Sequence, residues 1–108
     1  MASEGGSFQV TNNERSHRFE MEFGDQTAFL SYRHVGGSLT LDHTEVPPEL
    51  EGRGIASKLA RTALEYAREQ GLQVVPICPY ISKYLKKHSE YLNLLSDEDR
   101  KHVLDSES

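Results

Sequence analysis

The sequence lacks most of what would mark a secreted, membrane or nucleic-acid-binding protein. Its one cysteine, Cys78, excludes an internal disulfide and suits a reducing compartment. There is no tryptophan, and no apolar run approaches the length needed to span a bilayer. The opening residues MASEGGS carry no apolar stretch of the kind found in secretory signals. Basic charge is in deficit: 12 Lys and Arg against 17 Asp and Glu give a formal −5, which argues against a nucleic-acid binder. The five histidines, at 17, 34, 43, 88 and 102, are scattered without ligand spacing, so no metal site is expected. A cytoplasmic protein with no membrane or nucleic-acid partner is the expectation.

Only 36% of the 108 residues are apolar, so burial must be concentrated in a few well-patterned segments of one domain. Residues 1–7 are small and polar and are expected to be disordered, and Phe8 and Val10 to start a short strand. In Arg18–Phe23 the apolar Phe19, Met21 and Phe23 alternate with charge, the period of a half-buried strand. Gly24-Asp25 reads as a turn, Ala28, Leu30 and Tyr32 as one face of the next strand, and Gly36-Gly37 as another hairpin. A third strand of this antiparallel meander is expected over Ser38–Val46, with Leu39, Leu41 and His43 sharing one face.

The period then changes to that of a helix. Ile55, Ala56, Leu59, Ala60, Ala63, Tyr66 and Ala67 fall on one side of a wheel, with Gly71 placed as C-terminal cap. Leu72–Cys78 is apolar on both faces and is expected to be a strand covered on both sides, completing a βαβ unit. Pro79 suits the first position of a following helix, with Cys78 at its cap. Tyr91–Leu95 either extends that helix or forms a separate turn, and Ser96 and Asp99 fit the cap of a short acidic last helix within 96–108. The fold class expected is α/β (α+β).

The most informative stretch joins the meander to the first helix: Val46-Pro-Pro-Glu-Leu-Glu-Gly-Arg-Gly-Ile-Ala-Ser-Lys-Leu59. Strand, glycine turn and helix aim free backbone amides and a positive dipole end at an anion. Gly52 and Gly54 let a ligand approach the backbone, and the amides of Arg53, Gly54, Ile55, Ala56 and Ser57 suit a pyrophosphate cradle. Two glycines before a helix equally serve a tight turn that packs helix on sheet. The P-loop Lys-Ser/Thr and the third glycine of a dinucleotide fingerprint are both missing. Cys78 ends a parallel strand and precedes a helix, the position where ligands gather and thiolates are favoured, although a free cysteine is more often a small buried hydrophobe. His43 on an apolar face is ordinarily a hydrogen-bonded core residue.

The order of elements, with Glu51-Gly-Arg-Gly54-Ile-Ala56 at the turn, resembles the GNAT superfamily of acetyl-CoA-dependent N-acetyltransferases. Their signature begins with Gln or Arg where this chain has Glu51, so backbone amides would carry the cradle and Glu51 is expected to point away from it. Leu41-Asp-His-Thr44 and Cys78-Pro-Tyr80 with Tyr84 make the chain similar to a small, shortened GNAT-like family, that of N-acetyltransferase domain-containing protein 1 and its plant and bacterial relatives. The likeness covers roughly residues 8–95.

The resemblance implies a minimal fold in which the strands ending at Val46 and Cys78 splay apart to admit pantetheine. It places Val46 against pantetheine, Gly52–Ser57 on the pyrophosphate, and Arg53 and Lys58 nearest the phosphate oxygens, a role for which a solvated helix face is the alternative. It brings Cys78 near the acetyl thioester, His43 near the cleft as general base or partner of Cys78, and Tyr80 or Tyr84 to the departing thiolate as acid. The basic cluster Lys83, Lys86, Lys87 and His88 is either a solvated face or a contact for the 3′-phosphate. The function implied is acetyl transfer from acetyl-CoA to a small amine or basic peptide, directly or through Cys78. A non-catalytic CoA-binding or protein-interaction module of the same fold is the alternative.

Overall fold

Apolar alternation builds a five-stranded sheet whose strands lie in chain order. The computed structural model describes residues 9–105; the expected disorder of 1–7, the strand start at Phe8 and the last residues of the tail lie outside the described residues. β1 (Thr11–Asn13), β2 (Arg18–Phe23), β3 (Gln26–Val35) and β4 (Ser38–Glu45) pair antiparallel as the expected meander. Val10 precedes β1 and packs partly buried against the core. β5 (Gln73–Pro76) adds parallel to β4.

The inner face carries Phe19, Met21, Ala28, Leu30, Tyr32, Leu39 and Leu41, all buried. Over it lies α1 (Ile55–Gln70), which buries Leu59, Ala60, Ala63, Leu64 and Ala67. Leu64 extends the stripe seen in the sequence. Gly71 ends α1 at φ 68°, and the amides of Gly71 and Leu72 return to the carbonyls of Arg68 and Ala67. The outer face is largely charged, with Phe29 beneath Arg18. There Arg18 pairs with Glu20, Arg33 with Asp42 and His43 with Glu45.

β5 departs from expectation. Val74 is fully buried, but Val75 and Pro76 are half-exposed and Ile77 is 58% exposed. Val75 and Ile77 alternate with Val74 and so lie on the uncovered outer face, which leaves the strand packed on one side only. After β5, Pro79 opens α2 (Pro79–Lys87) with Cys78 at its cap, as the sequence predicts. A 3₁₀ turn (Ser89–Leu94) follows as a separate element, and α3 (Asp97–Asp105) begins where the Asp99 amide donates to Ser96 Oγ at 3.1 Å.

Two irregularities shape the end of β4. Ser31 pairs with His43 and Tyr32 with Leu41, leaving Asp42 as one extra residue, a β-bulge. The bulge reverses the alternation beyond it. His43 therefore does not share the Leu39 and Leu41 face: it is exposed on the outer side, and Thr44, paired with buried Leu30, takes the inner position. Pairing with β5 also stops at Leu41–Pro76, where the Leu41 carbonyl accepts both the Ile77 and Cys78 amides at 3.1 and 2.9 Å. Residues 42–45 continue without a β5 partner, so the two strands fork as the splayed pair was expected to.

Candidate functional site

Pro47 and Pro48 break β4 and a single 3₁₀ turn, Pro48–Leu50, leads into the glycines. Gly52 and Gly54 stand at φ 86° and 75°, a left-handed backbone that costs a side chain dearly. Gly54 is the cap residue of α1 and supplies no side-chain acceptor. The first helical bond runs from the Lys58 amide to the Gly54 carbonyl, so the amides of Ile55, Ala56 and Ser57 have no intrahelical acceptor. A Cβ built on either glycine would meet nothing within 4 Å: the space in front of the turn is open.

That space is a pocket of about 220 Å³ lined by Val46, Gly52, Gly54, Ile55, Ala56 and Ser57, with Leu50 and Tyr80 beside them. Glu51 borders the pocket too and is exposed. Arg53 and Lys58 do not line it. Arg53 is exposed, and Lys58 lies along a neighbouring groove of about 690 Å³ with Arg61, Gly54 and Ser57.

Cys78 sits in the crotch of the fork, 3% exposed, with its Sγ 3.4 Å from Thr44 Oγ1. His43 is elsewhere. Its side chain is 60% exposed, its Nε2 is 2.9 Å from Glu45 Oε1, and its ring lies 6.1 Å from that of Phe29. The bulge thus puts His43 and Cys78 on opposite faces of β4, and the thiol's neighbour across the fork is a hydroxyl, not an imidazole.

Tyr80 and Tyr84 project from α2 with ring centroids 6.3 Å apart, yet they serve different spaces. Tyr80 borders the glycine-turn pocket, whereas Tyr84 lines a second pocket of about 490 Å³ with Arg61, His88 and Tyr91. His88 stacks on Tyr84 at 4.0 Å, while Lys83 and Lys87 of the same basic cluster are exposed. Burial pushes both phenols above the ordinary tyrosine range; the Ser57 hydroxyl pulls each back down, and Cys78 adds a small upward push on Tyr80. Ser57 borders both pockets. Of the two tyrosines, Tyr80 alone lines the glycine-turn pocket, and Tyr84 reaches it through Ser57.

Sequence reasoning missed Thr44 and Arg61. Thr44 stood in the sequence only as the end of the Leu41–Thr44 motif, because the alternation that assigns it outward is broken by a bulge that no residue type announces. Arg61 was visible only as part of the polar side of α1. Among the described residues no group of His, Cys, Asp or Glu has a metal-holding arrangement, and no described helix is long and apolar enough to cross a membrane.

Comparison with known proteins extends these observations. A family described as GCN5-related N-acetyl-transferase matches residues 18–94. Protein NATD1 of Mus musculus is 36% identical over 97 residues, which cover 85% of this chain and 88% of that protein. Protein NATD1 of Homo sapiens is also 36% identical over 97 residues, covering 85% and 86%. The NMR solution structure of a GCN5-like protein from Staphylococcus aureus superposes with a TM-score of 0.66 at 27% identity, over 83% of this chain and 89% of that one.

Proposed function

The chain belongs to the GCN5-related N-acetyltransferase family, and from that membership we propose that it binds acetyl-CoA and transfers the acetyl group to an amine. The observation that carries the reading is that the glycine-turn pocket and the fork meet at Tyr80, the second residue of the helix capped by Cys78. Free amides at Ile55, Ala56 and Ser57 suit a pyrophosphate, and the positive end of α1 adds to their pull. Val46, at the pocket's edge and just beyond the fork, suits pantetheine. Arg53 and Lys58 stand outside the pocket and contribute as flanking cations to phosphate oxygens.

In the direct route the amine nitrogen attacks the thioester carbonyl, the C–N bond forms and the C–S bond breaks. The amine's proton passes to His43, which Glu45 orients from the outer face, and the Tyr80 phenol protonates the departing sulfur. Tyr84 stands behind Tyr80 and acts on it through the shared Ser57. In the relay route the Cys78 sulfur attacks the thioester carbonyl and CoA leaves as its thiol; the amine then attacks acetyl-Cys78, forming the C–N bond and returning the free Cys78 thiol. The opposite placement of His43 and Cys78 makes these separate machines and not one dyad. The acceptor is a small amine or a basic peptide, in keeping with the acidic balance of the chain, and cytoplasmic residence belongs to the same proposal.

Calorimetric titration with acetyl-CoA, CoA and ATP tests the reading. Binding of acetyl-CoA and CoA but not ATP is expected, together with acetyl loss to a panel of amines. No binding of either CoA form would sink it, and binding with no transfer to any amine would leave a CoA-binding module. Full turnover in Cys78→Ala eliminates the relay; a trapped acetyl-Cys78 by mass spectrometry supports it.

A further inference from the structure

Past Leu41 the arms of the fork lose their ladder of backbone hydrogen bonds, and a side-chain contact spans the gap: Thr44 Oγ1 to Cys78 Sγ, 3.4 Å. The contact exists because β4 is one residue too long for β3. Without the bulge at Asp42, strict alternation would turn Thr44 outward and set His43 opposite the thiol. The bulge therefore selects which side chain meets Cys78, exchanging an imidazole for a hydroxyl. A hydroxyl accepts from a thiol and donates to a bare sulfur, so one geometry serves both states of the cysteine. Thr44 is itself anchored by its pairing with Leu30, fully buried in the sheet, and Cys78 by its amide on the Leu41 carbonyl.

We propose that Thr44 is the positioning residue of Cys78, holding Sγ at the crotch of the fork beside Tyr80. This rests on the acetyl-transfer reading for its purpose, but not for its test. The chain has one cysteine, so the infrared S–H stretching band of the free protein reports Cys78 alone. Thr44→Val, nearly the same shape without the hydroxyl, is expected to move and broaden that band, and Thr44→Ser to restore it. Alkylation of Cys78 by iodoacetamide should slow by roughly two- to tenfold in Thr44→Val, the loss of one modest hydrogen bond, and recover in Thr44→Ser. Acetyl-CoA affinity, measured by calorimetry on the same proteins, should be unchanged.

An unmoved band in a folded Thr44→Val protein overturns the contact. A moved band with alkylation at the wild-type rate overturns the positioning role. Failure of the wild-type protein to bind acetyl-CoA would strike the acetyl-transfer reading and leave both thiol measurements standing. Where acetyl-Cys78 forms, its yield should fall in Thr44→Val in the same proportion as alkylation; equal yields would again overturn the role.

Discussion

Gly54 offers the sharpest perturbation, because the turn it makes and the ligand role proposed for it separate in energy. Its φ of 75° is left-handed, which costs a residue bearing a Cβ about 1–2 kcal/mol. The ideal Cβ meets nothing within 4 Å, so no clash adds to that strain. For a domain of this size 1 kcal/mol corresponds to roughly 4–8 °C in Tm. Gly54→Ala should therefore remain folded and melt about 4–16 °C lower, and Gly54→Glu about the same, since both meet the same backbone strain. Ligand affinity should divide them. The new methyl group enters the mouth of the 220 Å³ pocket, where the ligand's phosphates would approach the amides. A displacement costing about 1.4 kcal/mol weakens acetyl-CoA tenfold. The glutamate adds a negative charge at the positive end of α1, against a negative ligand, and should remove measurable binding. Scanning calorimetry of the free variants and titration with acetyl-CoA check the two halves independently. Wild-type affinity in both variants, with only Tm lowered, would mean that the glycine serves the turn and not the ligand.

Gly71→Ala is the matched control: at φ 68° it should also cost about 1 kcal/mol, read as a lower Tm, with acetyl-CoA affinity unaltered because it lies at the far end of α1. Tyr91 predicts an alkaline limb of stability. Burial first, then its hydrogen bond to Glu65 at 2.6 Å, pushes its phenol up to about 12 from the usual 10. The folded state thus holds this proton more tightly than the unfolded chain, so the contribution is complete below pH 10 and is lost as pH climbs toward 12. Chemical denaturation at a series of alkaline pH values should show a shallower decline in Tyr91→Phe; an identical slope would refute the assignment.

How much of this was legible in the sequence depends on whether one residue type had one meaning. Glycine with left-handed φ did: Gly54 and Gly71 mark the two ends of α1, because few other residues tolerate those angles. Pro79 likewise fixed the start of α2, since it needs no amide partner there. Alternation was a weaker guide. It assigned β2 fully and β4 only as far as Leu41, because the extra residue at Asp42 is a property of pairing between two strands and not of either alone. The same limit applies to β5, whose apolar run matches a strand covered on both sides until the missing outer layer leaves Ile77 in solvent. The grouping of Val46, the glycine turn and Tyr80 around one pocket was expected only through a family likeness. No spacing in the chain states that β4 and β5 part at Leu41.

The chain-order sheet also has a consequence for how the molecule forms. β1 to β4 are joined by tight hairpins, whose closure is local and fast, whereas β5 reaches β4 only after the whole of α1 has crossed over. The fork is therefore expected to form later than the meander. Its amides at Ile77 and Cys78, which share the Leu41 carbonyl, should gain protection in pulse-labelled hydrogen exchange later than the β2–β3 ladder. Simultaneous protection would contradict that order. The candidate site would then be assembled by docking a helix onto a finished meander, so that a chain with an incomplete α1 has a sheet but no cleft.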